Sequence, residues 1–393
     1  MVDEIDFSPA ESPKSFEQIY SHYLSLLKEK NTYRILPTPH NAGNQTVLDF
    51  STNDYLNLST NKALLQAAYA CGSSGSTGSR LLSGNSPIFE RFEERIAQDK
   101  KCEAALIFSS GFQANSSALA TLCDKKVLKD QAILFFDKYV HSSLYQAAFL
   151  AGAHLVRFKH NDMGDLGKLL AQYGRDPRKK YIVTETVFGM DGDISPLPEL
   201  ADLAKKYGAL LYLDEAHATG VFGHQGYGLS TQIDLSLVPH VIMGTFSKAL
   251  GAFGAYIATS SIIKDYLVNT CPGFIFSTAL PPMVIAAALH AWEMLPRLDK
   301  ERQMLLQHAS LLRTQLQELG FNTGSSCTHI IPIILGNEKR TLSAKKSLAK
   351  KNIIVSAIRP PTVAPGTSRL RIALSTKHTQ EDIETLIDAV KKV

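Results

Sequence analysis

From about residue 100 onward the chain repeats one pattern: a short, almost wholly apolar run followed by a stretch with helical spacing. The runs are Ala104 to Phe108, Ala132 to Phe136, Tyr181 to Thr184, Ala209 to Leu213, Val241 to Met243 and Gly254 to Ala258. A strand wetted on one side alternates apolar and polar residues. Near-continuous apolar strands separated by helices therefore predict an α/β fold with a mostly parallel sheet covered on both faces. A chain of 393 residues exceeds one small core, so a second, smaller unit is expected. A mixed region supplies it, with a helical pattern from about Pro282 to Leu319 and then strand-like runs Ile330 to Leu335, Ile353 to Ser356 and Leu370 to Leu374. Ahead of the sheet, Phe16, Ile19, Tyr20, Tyr23, Leu24 and Leu27 predict an amphipathic helix over residues 14–30, ending before Pro37-Thr38-Pro39. The resulting division is an N-terminal segment (1–50), a large domain (51–285) and a small α+β C-terminal domain (286–393).

Composition narrows the function classes. Apolar residues make up 45% and charged residues 20% of the chain, and no apolar run approaches a membrane span of roughly 20 residues. The acidic start Met1-Val2-Asp3-Glu4-Ile5-Asp6 lacks the basic, then apolar, layout of a secretory signal, which predicts a cytoplasmic protein. Five scattered cysteines with no Cys-x-x-Cys pair argue against disulfides or a metal centre. A net charge of +4 without a basic block gives no support for nucleic-acid binding.

The chemistry concentrates at predicted strand ends, where open α/β sheets bind their ligands. Lys248 lies in Thr245-Phe246-Ser247-Lys248-Ala249-Leu250-Gly251, directly after an apolar run. A lysine so placed suits covalent chemistry, and with an acidic partner for a pyridinium nitrogen it marks a pyridoxal phosphate site. Asp214, closing the run Ala209 to Leu213, is the candidate acid; an N-cap aspartate is the plainer alternative. His217, three residues on, is placed to reach the cofactor's phenolic oxygen. Ser109-Ser110-Gly111-Phe112 turns from a strand into a helix, offering backbone N–H groups to a phosphate, with the hydroxyls of Thr245 and Ser247 nearby. His141 follows another strand and is a candidate for stacking on the ring. Arg359, before two prolines, is the candidate for an amino-acid carboxylate, with Arg369 and Arg371 competing.

These residues sit in longer runs that resemble the α-oxoamine synthases, a family of fold-type I pyridoxal phosphate-dependent transferases. The resemblance extends from about Leu48 to the C-terminus. It rests on Ser51-Thr52-Asn53-Asp54-Tyr55-Leu56, Phe108-Ser109-Ser110-Gly111-Phe112, Val187-Phe188-Gly189-Met190-Asp191-Gly192-Asp193, Asp214-Glu215-Ala216-His217, Thr245-Phe246-Ser247-Lys248 and Ala357-Ile358-Arg359-Pro360-Pro361-Thr362-Val363. It implies covalent attachment of the cofactor to Lys248, Asp214 on the pyridine nitrogen, His217 on the ring oxygen and His141 stacked on the ring. Gly111, Phe112 and Thr245 would hold the phosphate, joined by Thr278 donated from a neighbouring subunit, so that a homodimer is the working unit. Asn53 and Arg359 would bind the amino-acid carboxylate, Thr362 would lie along the acyl path, and Arg34 is a positional assignment for an acyl contact. Where relatives often carry serine, Gly189 removes a hydroxyl contact to the cofactor.

The last of these runs points to the branch that condenses L-alanine with a pimeloyl thioester, of coenzyme A or an acyl carrier protein, with loss of carbon dioxide. Sister branches that use glycine with an acetyl thioester, or a long acyl thioester, share the other motifs. A non-catalytic partner subunit is a further alternative, which the presence of Lys248, Asp214 and His217 disfavours.

Overall fold

The structure is a computed structural model that describes residues 15–36 and 47–392. The acidic start and the Pro37-Thr38-Pro39 stop lie outside the described residues. Twelve strands follow in chain order: β1 (Leu48–Asp49), β2 (Ala104–Phe108), β3 (Ile133–Asp137), β4 (His154–Phe158), β5 (Lys180–Glu185), β6 (Leu210–Asp214), β7 (His240–Thr245), β8 (Ala255–Thr259), β9 (Ile330–Gly336), β10 (Ile353–Ile354), β11 (Ser356–Ile358) and β12 (Ser368–Ala373). Seven of them form the central sheet in the order β2-β8-β7-β6-β5-β3-β4. All pairs from β4 to β7 are parallel, and β8 alone runs against both neighbours.

The predicted apolar runs became the buried strands because both faces are covered. Every residue of β2, β3 and β8 is buried, and one large apolar cluster packs on each side of the sheet. The strand of the central sheet missed in the sequence is β4, His154-Leu155-Val156-Arg157-Phe158. As an edge strand it is only partly covered and carries His and Arg, so it never reads as a continuous run.

The smaller unit contains an antiparallel sheet, β11-β12-β9. The helical pattern expected from Pro282 to Leu319 is two helices, Pro282–Met294 and Asp299–Glu318, separated by a 3-10 turn at Leu295–Arg297. Pro296 cannot donate the backbone hydrogen bond that would continue the first helix, so it ends there. The run Ile353 to Ser356 divides between β10, which pairs in parallel with β1, and β11, which pairs with β12. The end of the N-terminal segment is thus stitched to the C-terminal unit. The N-terminal helix spans Phe16–Glu29 behind a Ser15/Gln18 capping box. None of its residues is buried, and Phe16 and Tyr20 remain 75% and 64% exposed.

Candidate active site

Three neighbouring parallel strands, β5, β6 and β7, end on Glu185, Asp214 and Thr245, which brings these side chains to one rim of the sheet. Lys248 stands in the loop that follows β7. Phe246 fixes this loop by stacking on Phe92, with ring centroids 4.9 Å apart, and Ala249 and Leu250 are fully buried. Gly251 completes the turn at φ +61°; a Cβ there would lie 2.3 Å from the Ser59 nitrogen, so only glycine fits.

The Lys248 amine is 2.7 Å from His217 Nε2, and His217 Nδ1 is 2.7 Å from the Tyr55 hydroxyl. Burial, then the charges of Lys248 and Arg371, hold the His217 imidazole well below its ordinary value, so it is neutral and carries one proton. The bonding pattern assigns that proton: Lys248 donates to Nε2, Nδ1–H donates to Tyr55, and Tyr55 donates to Asn53 Oδ1 at 3.1 Å. The lysine itself is drawn down to about 8 by burial, against the pull of the Asp214 and Glu185 carboxylates. Near neutral pH an appreciable fraction of it is a free amine.

Asp214 is 4% exposed. Its carboxylate accepts from Asn115 Nδ2 at 2.7 Å and from the Ala216 N–H at 2.9 Å, both neutral donors. Among the described residues it forms no ion pair, although a buried carboxylate calls for a cation. Asn115 is a site residue the sequence reading missed. It lies on a π-helical turn, Ala114–Ala118, inside the helix that begins at Gly111, and the Tyr212 hydroxyl orients its amide from 2.9 Å. Such turns recur at functional sites, but no sequence pattern announces one. Glu185 was also missed. It pairs in register with Asp214, and burial, then the Asp214 charge, pushes its carboxyl up to about 8.

At the Gly111 turn, Ser110 caps the helix, accepting from the Gln113 N–H at 3.2 Å. The Gly111 Cα faces Thr245 and Met243, with room for an added Cβ at 3.8 Å. Thr245 Oγ1 lies 2.8 Å from Ser247 Oγ and donates to the Gly254 carbonyl. Phe112 is half exposed and meets the His141 ring edge-on at 6.3 Å. His141 caps the helix Ser142–Ala151, its Nδ1 accepting from the Ser143 N–H and lying 2.8 Å from Ser143 Oγ; Asn115 donates to that same hydroxyl at 3.0 Å. Thr278 is exposed, bridging in the backbone to Ser79. Gly189 lies against the His217 ring: a Cβ would fall 2.3 Å from Nε2.

The candidate carboxylate groups separate in space. Asn53 meets Arg371, not Arg359, with Nη2 donating to Asn53 Oδ1 and to Tyr55 at 3.2 Å each, while Nε donates to the Gly189 carbonyl at 2.6 Å. Arg371 is 4% exposed and has no carboxylate partner among the described residues. Arg369, two residues away on the same face of β12, is paired with Asp191. Arg359 lies past β11 and donates to the Asn31 carbonyl of the N-terminal segment. Next to it, Arg34 donates to Thr362 at 2.9 Å. Arg34 and Arg359 stand close enough that each charge opposes the other, and neither forms an ion pair among the described residues.

The constellation fits pyridoxal phosphate. Asp214 lacks the cation that a protonated ring nitrogen provides, Lys248 holds a partly deprotonated amine, and the Gly111 turn offers backbone N–H groups to a phosphate beside the Thr245 and Ser247 hydroxyls. Comparisons agree. The family described as class I and II aminotransferases matches residues 45–390. The 8-amino-7-oxononanoate synthase of Gluconacetobacter diazotrophicus is 44% identical over 354 residues, covering 88% of this chain and 87% of its own. Among solved structures, an SPT structure bearing PLP as its internal aldimine matches at TM-score 0.85 and 27% identity, over 96% of each chain. The 8-amino-7-oxononanoate synthase of Francisella tularensis matches at TM-score 0.76 and 31% identity, over 88% of this chain and 97% of its own.

Proposed function

The chain belongs to the class I and II aminotransferase family, and on that premise we propose that it catalyses the reaction of 8-amino-7-oxononanoate synthases, the decarboxylative joining of L-alanine to a pimeloyl thioester. The observation that carries the chemistry is the Lys248–His217 contact beside the cation-free Asp214 carboxylate. When bound, pyridoxal phosphate supplies an electron sink for the substrate's α-carbon. Asp214 keeps the ring nitrogen protonated, His217 holds the ring oxygen, and His141 covers a ring face. Backbone N–H groups of Gly111 and Phe112, with Thr245 and Ser247, hold the phosphate. Lys248 Nζ, lowered to about 8, is the base for the α-proton.

Arg371 takes over the carboxylate role expected of Arg359. It is buried, lacks a carboxylate partner among the described residues and touches Asn53. Arg359 and Arg34, beside Thr362, are left for the far end of the acyl donor. The pairing of Ile358 with Arg369 sets Arg359 near the Ser368 end of β12. Three residues from Arg371 to Ser368 span about 10 Å. Eight single bonds separate the amino-acid carboxylate from the distal carboxylate of a condensed pimeloyl chain, and at roughly 1.2 Å advance per bond they also span about 10 Å. A dicarboxylic acyl chain fits two such cationic anchors better than an unbranched fatty chain, which has no charge for the outer one.

The working unit is a homodimer, to which Thr278 contributes a phosphate contact across the interface. Leu82 and Phe276, 79% and 83% exposed around the Ser79–Thr278 bridge, and the uncovered face of the N-terminal helix are the apolar surfaces it would bury. The purified enzyme, given alanine or glycine with pimeloyl, acetyl or long acyl thioesters of coenzyme A and of acyl carrier protein, should release 8-amino-7-oxononanoate by mass. A product formed only from glycine, or only from acetyl or long acyl donors, would overturn the assignment.

A further inference from the structure

Resting on the reaction above, we propose that His329 is a second binding group for the amino acid's carboxylate, donating a ring N–H to it beside Arg371. His329 immediately precedes β9 and is 0% exposed, and among the described residues neither of its ring nitrogens has a hydrogen-bond partner. Native interiors rarely leave a buried donor and a buried acceptor on one ring unpaired, and each such case calls for a functional or structural reason. The ring stays neutral: burial, then the charges of Arg371 and Lys248, draw it down to about 3. It therefore always keeps one N–H to give.

Its place agrees with that use. The ring meets Tyr55 edge-on at 4.1 Å and Phe222 at 5.8 Å, so the Tyr55 end of the Lys248–His217–Tyr55 chain abuts it. Leu374, which follows β12, donates its N–H to the His329 carbonyl at 3.0 Å, tying the residue to the strand that carries Arg371. Arg371 needs the help. Its Nε is spent on the Gly189 carbonyl and one Nη2 hydrogen on Asn53 and Tyr55, so the usual side-on fork for a carboxylate is partly occupied. A carboxylate held through the remaining guanidinium hydrogens has lone pairs left over. His329 offers a buried, uncommitted donor to one of them.

The test uses the holoenzyme without acyl donor. Binding of L-alanine and of isopropylamine, which keeps the amine and methyl groups but lacks the carboxylate, is titrated by the change in cofactor absorbance for the wild type, His329→Phe and His329→Gln. Thermal unfolding of each is recorded. His329→Phe should weaken L-alanine about 10- to 100-fold, the size of one hydrogen bond to a charged group, and leave isopropylamine unchanged. Its Tm should be equal or higher, because two unpaired polar atoms are removed. His329→Gln, which keeps an N–H, should recover part of the affinity, and it carries the comparison if the Phe variant does not fold. Unchanged alanine affinity in His329→Phe would overturn the proposal and make the ring a packing element. Equal losses for both ligands would also overturn it, placing the effect in Tyr55 and His217. A wild type that gives no spectral response to L-alanine would instead remove the proposed reaction, and the carboxylate role with it.

Discussion

His160 joins the loop that carries Gly189 to the central sheet, and its charge state should set how firmly. Its Nδ1 is 3.0 Å from Asp137 Oδ1 and its Nε2 is 2.7 Å from Asp193 Oδ2, with both carboxylates buried. Burial alone would lower this imidazole, but its bonds to Asp137 and Asp193 outweigh burial and raise it to about 9. A histidine raised from 6.5 to about 9 stabilises the fold fully below pH 6.5 and loses that contribution as pH rises toward 9. The shift of about 2.5 units corresponds to about 3 kcal/mol at about 1.4 kcal/mol per unit. Urea unfolding of wild type and His160→Gln across pH 6 to 9.5 isolates this contribution, since other groups with shifted values cancel in the difference. The wild-type advantage should shrink by about 3 kcal/mol over that window, nearly all of it above pH 6.5. A constant difference would refute the claim that a charged His160 bridges the two carboxylates. Alanine affinity should weaken in parallel, because Asp193 also accepts from Ser325 and the same loop presents the Gly189 carbonyl to Arg371.

Three substitutions probe the chemistry directly. Lys248→Ala should leave pyridoxal phosphate removable by dialysis and reduce product formation by at least about 10³-fold, read by absorbance and product mass; near-normal turnover would contradict its role as base. Asp214→Asn removes the anion proposed to face a ring nitrogen, and cofactor affinity in a spectral titration should fall by about 10²- to 10³-fold, the range for breaking a buried charge pair. Arg371→Gln should raise KM for alanine about 10- to 100-fold with little change for the acyl donor, whereas Arg359→Gln should do the reverse for a pimeloyl thioester and leave an acetyl thioester unaffected.

The sequence carried the sheet and the residues at its rim because both depend on local signals. A fully buried strand is apolar throughout, and the residue that ends it faces the ligand side, so Asp214, His217 and Lys248 were legible before any coordinates. Asn115 and Glu185 were not. One depends on a π turn that shifts a helical residue toward Asp214, and the other looks like any acid at a strand end until its register with Asp214 is known. The choice among Arg359, Arg369 and Arg371 illustrates the same limit. All three flank strands of one small sheet, and only the pairing of β12 with β9 and β11 decides that Arg371 turns to Asn53, Arg369 to Asp191 and Arg359 to the N-terminal segment. His329 gave no signal at all, since a lone histidine before a strand has no pattern, and only the structure shows two ring nitrogens without partners among the described residues.

These placements divide the surroundings of Lys248 between two units of the fold. The groups that favour its charge, Asp214 and Glu185, belong to the central sheet, while Arg371, which opposes it, arrives on β12 of the smaller unit. The Lys248–His217–Tyr55 chain ends on that same guanidinium. Any displacement of β12 away from the rim would therefore remove a positive charge from the lysine's surroundings and raise its affinity for protons. A carboxylate arriving at Arg371 would neutralise that charge and act in the same direction. On the proposed reading, in which Arg371 takes the substrate carboxylate, substrate binding and lysine basicity are coupled through one arginine, so the pH dependence of alanine binding should differ between wild type and Arg371→Gln. Superimposable pH profiles in a spectral titration from pH 6 to 9 would show that the lysine does not sense the small sheet.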